Sequence, residues 1–243
     1  MRAPSNHIVQ TDFENLYTQV RKKEGRWYTD NEVAKLPEIQ DSHPHHKEWQ
    51  MRKCSAHQLT QYLISKGSQL NILEAGCGNG WLIARLAKII SGKATGIDVN
   101  PVELEQAKRV FGHIKNLQFL QSDISDGIEA GQQFDIIIFA ASIQYFASFR
   151  QIIQIALQHL LPGGEIHIMD SHFYKKNETE GARVRSRQYY ESIGFSEMSH
   201  HYYQHCINEV KQFSFKILYN PNFITYRILR NKNPFYWICI QHP

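Results

Sequence analysis

Cysteine is scarce in this sequence: Cys54, Cys77, Cys206 and Cys239 lie far apart, and no two form a C-x-x-C pair. A zinc knuckle or dithiol redox motif is thereby excluded, and the pattern is that of reduced, buried thiols. No apolar run approaches the ~20 residues that a membrane span requires. The opening residues, Met1-Arg2-Ala3-Pro4-Ser5-Asn6-His7, lack the apolar centre of a secretory leader, so cytoplasmic residence is the expectation. There is no internal repeat and no low-complexity tract. Charge of one sign is also modest, a net +4 spread along the chain. Its densest basic cluster, Arg183, Arg185 and Arg187, does not share one helix face and reads as solvated surface rather than as a nucleic-acid contact. The histidines at His43, His45 and His46, and at His200, His201 and His205 beside Cys206, fit no closed zinc spacing. No metal is expected.

What the chain does have is glycine at one telling place. The apolar stretch Asn71-Ile72-Leu73-Glu74-Ala75 runs into Gly76, Gly78 and Gly80, and an amphipathic segment, Trp81 to Ile90, follows at once. A strand, a bare turn and a helix N-terminus together offer a ligand backbone amides and the positive end of a helix dipole. Around it strands and helices alternate. Strands are predicted at Leu70–Ala75, Ala94–Val99, Leu117–Gln121, Asp135–Ala140 and Glu165–Met169. Helices are predicted at Val102–Phe111 (with Asn100 as N-cap and Pro101 at the first position), near Ile124–Ala130, and at Ser148–Leu161. Continuous apolar strands such as Ile136-Ile137-Ile138-Phe139 imply a sheet covered on both faces, hence a doubly wound α/β domain.

The flanks differ in character. Residues 1–69 hold three predicted helices, Phe13–Lys22, Asn31–Leu36 and His45–Lys66, rich in aromatic and basic residues. They read as a helical cover over a domain spanning 70–243. Beyond Asp170 the pattern predicts a helix over Glu178–Ile193 stopped by Gly194, and a sixth strand starting at Phe195–Met198. Phe213–Tyr219 alternates like a strand, and the last strand is Phe235–Gln241.

Three acids answer the glycine turn. Asp98 ends the second strand, where a carboxylate can accept hydrogen bonds from both hydroxyls of a ribose. Asp123, followed by Ile124, stands after the third strand, where it can meet an exocyclic amine while the isoleucine packs on a base. Glu74 places a carboxylate where a pyrophosphate would be repelled, so the ligand is expected to carry a cation, an ammonium or a sulfonium. The spacing departs from the dinucleotide pattern G-x-G-x-x-G, since Trp81 stands at its last position, and no Gly-Lys-Ser/Thr phosphate loop is present.

Jointly, Glu74-x-Gly76-x-Gly78-x-Gly80, Asp98, Asp123-Ile124, Phe134-Asp135-Ile136-Ile137-Ile138 and Leu161-Pro162-Gly163-Gly164-Glu165 resemble the class I S-adenosylmethionine-dependent methyltransferases, small-molecule branch. The resemblance implies a Rossmann-like, seven-stranded, mostly parallel sheet with helices on both faces, its last strand antiparallel. It implies S-adenosyl-L-methionine as cofactor and S-adenosyl-L-homocysteine (SAH) as product. Glu74, Ala75, Gly76, Gly78 and Gly80 would hold the methionine and ribose, Asp98 the ribose hydroxyls, and Val99, Asp123 and Ile124 the adenine. Ala140 and Ala141 would offer backbone to the methionyl amine, and Arg52, with Trp49, would face the carboxylate. The segment 199–234 would border the substrate pocket as an insertion.

After the fourth strand, Ala140-Ala141-Ser142-Ile143-Gln144-Tyr145 carries no Asn/Asp-Pro-Pro-Tyr/Phe, no Pro-Cys, no paired glutamates and no metal-binding acid. A small organic acceptor, methylated on O, N or C by proximity with or without a base, is the reading that remains. His172, Asp170 and Tyr145 are the expected bases. An RNA- or protein-directed enzyme, and a module that binds the cofactor without transferring anything, stay open as alternatives.

Overall fold

Seven strands form one sheet in the computed structural model, which describes residues 6–126, 128, 132–222 and 233–242. They are β1 (Ile72–Ala75), β2 (Ala94–Asp98), β3 (Leu117–Gln121), β4 (Phe134–Ala140), β5 (Leu160–Met169), β6 (Phe215–Tyr219) and β7 (Trp237–Gln241). The order is β3-β2-β1-β4-β5-β7-β6, and only β7 runs against its neighbours. The chain builds outward from β1 to β3, then returns to the other side of β1 as β4. That reversal opens a crevice beyond the carboxyl ends of β1 and β4, where such sheets bind ligands.

Helices α1 (Asn6–Lys23), α2 (Asp30–Val33) and α3 (His46–Lys66) precede the sheet; α4 (Trp81–Ala87), α5 (Pro101–Phe111), α6 (Phe149–Gln158) and α7 (Thr179–Ser192) are interleaved with it. On α3, Trp49, Ala56, Leu59 and Leu63 recur at helical spacing, and all are buried in one core with α4, α5 and one face of the sheet. Cys54 and Tyr62 of the same helix are half-buried. The other face packs on α6 through Phe149, Ile152, Ile153 and Ala156. A third, small cluster of Val20, Tyr190 and Met198 joins α1 to α7.

Local rules account for most boundaries. The Asn100 side chain accepts from the Val102 and Glu103 amides and starts α5 behind Pro101. The α4 helix stops at Ala87, short of the expected Ile90, because the Asn116 amide takes the carbonyls of Ala87, Ile90 and Gly92 at 2.9, 3.2 and 3.0 Å. β5 begins early: Leu160 already pairs with Phe134 across an irregular register. The helix expected near Ile124–Ala130 is a single 3₁₀ turn, Ile124–Asp126; residues 127 and 129–131 lie outside the described residues, as do 223–232 of the expected insertion.

One expected strand is absent. Phe195–Met198 falls at the head of a 3₁₀ turn, Ser196–His201. Gly194, at φ 86°, closes α7 with Gly194 N–H to Glu191 O and Phe195 N–H to Tyr190 O. That closure steers Met198 into the cluster with Val20 and Tyr190, away from the sheet. The sixth strand is Phe215–Tyr219 instead, an edge strand with Lys216 on it. No helix among the described residues is long and apolar enough to cross a membrane.

Two glycines with the same left-handed backbone should respond differently to alanine. A Cβ on Gly194 meets nothing within 4 Å, whereas one on Gly80, at φ 74°, would lie 2.5 Å from the Phe119 ring. Gly194→Ala should cost about 1 kcal/mol from backbone strain alone, and Gly80→Ala clearly more, because a steric clash adds to the same strain. Urea denaturation midpoints at constant slope would check the order.

Candidate functional site

The crevice holds two connecting chambers, of about 530 and 200 Å³. Tyr17, Gly76, Gly78, Ala141 and Tyr145 line both and mark where they meet. Their common wall exists because the turns after β1 and β4 nearly touch. The Ser142 hydroxyl donates to Ala75 O at 2.7 Å, and a Cβ on Gly76 would lie 2.6 Å from that of Ser142.

The smaller chamber collects Ala75, Asp98, Val99, Asp123 and Ile124 from the expected site, with Ile97, Phe146 and, from α1, Phe13 as apolar walls. Asp98 is tied to the glycine turn. Its Oδ2 accepts from the Gly78 amide at 2.7 Å and its Oδ1 from the Asn100 amide at 2.8 Å. Burial raises its carboxyl against the pull of those bonds. The Val99 amide acts on it as well, and the carboxylate still has acceptor capacity for a further donor.

The larger chamber collects Glu74, Arg52, Ala140, Asp170, His172 and Tyr145. Glu74 does more than face a ligand. Its Oε2 accepts from the Ile83 amide at 2.9 Å, so it caps α4, whose N-cap Gly80 has no side chain to do so. Burial pushes its carboxyl up to about 8, with the nearby charge of Asp98 adding to the effect. Arg52 is held by Glu48, its Nε 3.1 Å from Oε1, and lies over the Trp49 ring at 5.2 Å. Of the expected cofactor residues only Gly80 lines neither chamber, because it is packed on Phe119 and Ala107 as the start of α4.

The three expected bases differ in environment. Asp170 accepts from the Ser55 hydroxyl at 2.6 Å, and burial pushes it up to about 6. It sits at φ 55° at the end of β5, beside Ala141 at φ 56° at the end of β4. Two non-glycine residues in left-handed geometry at adjoining strand ends are strain of the kind functional sites retain. Tyr145 is surrounded by the rings of Phe13, Tyr17 and Tyr202, and burial raises its phenol. His172 stacks on Tyr174 at 5.8 Å and touches Phe235 at 4.7 Å; burial lowers its imidazole, so the ring is neutral at neutral pH.

Several lining residues were not singled out from sequence: Tyr17 and Arg21 of α1, Glu103 of α5, and Gln144 with Ser171. The aromatic and basic composition of the first helix pointed to a cover, without saying which side chains reach inward. Glu103 reads from sequence as an ordinary helix-start glutamate. Away from the crevice Glu165, His167 and Cys239 come together. Trp237 Nε1–H donates to His167 Nδ1 at 3.1 Å, which puts the neutral ring's proton on Nε2, 3.4 Å from Glu165.

The raised acids of the crevice make stability depend on pH. Glu74 at about 8 and Glu103 at about 7 bind protons more tightly folded than unfolded. Stability is therefore lost as pH rises through those values. From about pH 5 up to about pH 8 the ligand-free protein should become steadily easier to denature in urea, levelling off above that, and Glu74→Gln should flatten the trend. An unchanged slope in that variant would contradict the assignment.

Comparison with known proteins agrees with this geometry. Residues 66–226 match the methyltransferase domain family. A malonyl-[acyl-carrier protein] O-methyltransferase of Priestia megaterium is 30% identical over 119 residues, 48% of this chain and 43% of that protein. A protein-L-isoaspartate O-methyltransferase of Pyrococcus horikoshii is 32% identical over 101 residues, 41% of this chain and 43% of its own length. The chain thus spans under half the length of these curated relatives. Among solved structures, the plantazolicin methyltransferase BpumL in complex with SAH superposes with a TM-score of 0.57 at 18% identity, covering 94% of this chain and 99% of that one. The chain belongs to the methyltransferase domain family, and its fold is that of the class I S-adenosylmethionine-dependent methyltransferases.

Proposed function

We propose that the protein transfers the methyl group of S-adenosyl-L-methionine to an O, N or C atom of a small organic molecule. One observation carries the reading: Asp98 is bonded to the Gly78 amide where the two chambers meet. The cofactor would supply an electrophilic methyl on a sulfonium. Asp98 would accept from the ribose, Val99 and Ile124 would pack on the adenine, and Asp123 would accept from its amine. Asp170 favours a cationic ligand by charge, Glu74 would give up its proton beside one, and Arg52 stands where it can meet the methionyl carboxylate.

The acceptor would enter the larger chamber, whose outer wall includes Tyr174, Tyr189, Tyr202 and Phe235. Rings on several sides suit a flat or apolar body and exclude water from the transfer. Of the three bases, His172 fits proton removal best, because its ring is neutral and makes no hydrogen bond to a described residue. Tyr145, with its raised phenol, would orient rather than deprotonate.

Calorimetric titration with S-adenosylmethionine and with SAH tests the reading. Both should bind, and Asp98→Asn should weaken both by about tenfold or more; a folded wild-type protein that binds neither would refute it. With an acceptor found by metabolite screening, His172→Ala should lower kcat about a hundredfold and remove the acidic limb of the pH–rate profile. SAH affinity should stay unchanged in that variant.

A further inference from the structure

Glu103 is the residue the proposed reading leaves unused. It occupies the third position of α5, after the N-cap Asn100, where a glutamate ordinarily returns its carboxylate to the N-cap amide. Here that amide donates to Asp98 Oδ1 at 2.8 Å, so the reciprocal half of the cap is already taken. The Glu103 carboxylate is turned into the crevice instead. The residue is only 6% exposed, lines the larger chamber, and accepts no hydrogen bond from any described residue. Arg21 and Arg52 act on it through charge, and neither is bonded to it. A carboxylate that faces a chamber and takes no donor from the protein keeps its acceptor capacity for a ligand.

Its position indicates the ligand group. A Cβ on Gly78 would lie 3.0 Å from Glu103 Oε2, and the Gly78 amide is bonded to Asp98. Two carboxylates therefore adjoin one residue at the junction of the chambers, Asp98 on its amide and Glu103 over its α-carbon. Asp98 already accepts backbone amides, those of Gly78 and Asn100 among them, whereas Glu103 accepts no hydrogen bond from a described residue. Two neighbouring acceptors of this kind match a vicinal diol, whose two hydroxyls each donate once.

Building on the cofactor reading, we propose that Glu103 is a second ribose acceptor: it takes one hydroxyl of the cofactor's ribose while Asp98 takes the other. The test is calorimetric binding of SAH and of its 2′-deoxy and 3′-deoxy analogues to wild type, Glu103→Ala and Glu103→Gln. In wild type, removing a hydroxyl should weaken binding about tenfold. Glu103→Ala should weaken SAH by a similar factor, yet bind one of the two deoxy analogues as well as wild type does. Glu103→Gln, which keeps a carbonyl acceptor, should recover part of the loss. Should the alanine variant fail to fold, Glu103→Met fills the same space and takes its place.

The inference is overturned by unchanged SAH affinity in the alanine or methionine variant. It is equally overturned if both deoxy penalties are the same as in wild type. Wild-type protein that binds neither S-adenosylmethionine nor SAH would instead overturn the cofactor reading on which it rests.

Discussion

The hydrogen bond from the Gly78 amide to Asp98 Oδ2 is the contact on which the crevice depends. β1 and β2 are parallel neighbours in register, Ile72 on Ala94 through Ala75 on Ile97, so both strands end at the same level. The turn after β1 must therefore bend over the end of β2, and a carboxylate at that end catches the turn by its amide. The adjacent amides of Gly76 and Cys77 both donate to Ile97 O, which holds the first half of the turn in place. Gly76, Gly78 and Gly80 all stand at positive φ, and a Cβ on Gly76 or Gly80 would run into Ser142 or Phe119, so the turn needs glycine for its backbone geometry and for close packing alike.

The same turn explains why acids accumulate around it. A helix that starts with Gly80 has no side-chain cap, and Glu74 supplies one from the strand below through the Ile83 amide. Asp98 supplies another to α5 by taking the Asn100 amide. Each acid thus serves a helix terminus, Asp98 holding the glycine turn as well, and turns its remaining capacity to a chamber. Burial first, and the mutual charge of Glu74, Asp98 and Glu103 after it, raises proton affinity in the crevice and prepares it for a positive ligand. Arg52 and Arg21 moderate that charge from α3 and α1 without bonding to these carboxylates or to Asp170.

The legible parts of this chain were those governed by local rules. Apolar runs, the Asn100-Pro101 helix start and the glycine spacing placed strands β1 to β5, α5 and the glycine turn, because each depends on residues within a few positions. Asp98 at the end of β2 and Asp123 just past β3 were placed for the same reason. The roof of the crevice was not. Tyr17 and Arg21 reach it from α1, and Asp170 is set by Ser55, 115 positions away, which in turn accepts from Asn233. Phe195–Met198 went astray because its strand-like composition met a Schellman closure that turned it under α1. In that case a tertiary cluster overrode local propensity.

Glu165 shows what a purely structural acid looks like in this protein, and so why the crevice acids differ from it. It is as buried as Glu74, and burial alone would raise its carboxyl. Yet Tyr62, Lys66 and His167 surround it, with Tyr62 Oη at 2.9 Å and Lys66 Nζ at 2.8 Å, and together they hold it far below the usual carboxylate range. Evidently this fold can neutralise a buried carboxylate fully when a strand and a helix face each other. At the carboxyl ends of β1 and β2 it does not, and Glu74, Asp98 and Glu103 keep raised proton affinity with acceptor capacity to spare. Incomplete neutralisation at one end of the sheet, beside complete neutralisation on β5, is what a ligand that brings its own donors and positive charge would resolve.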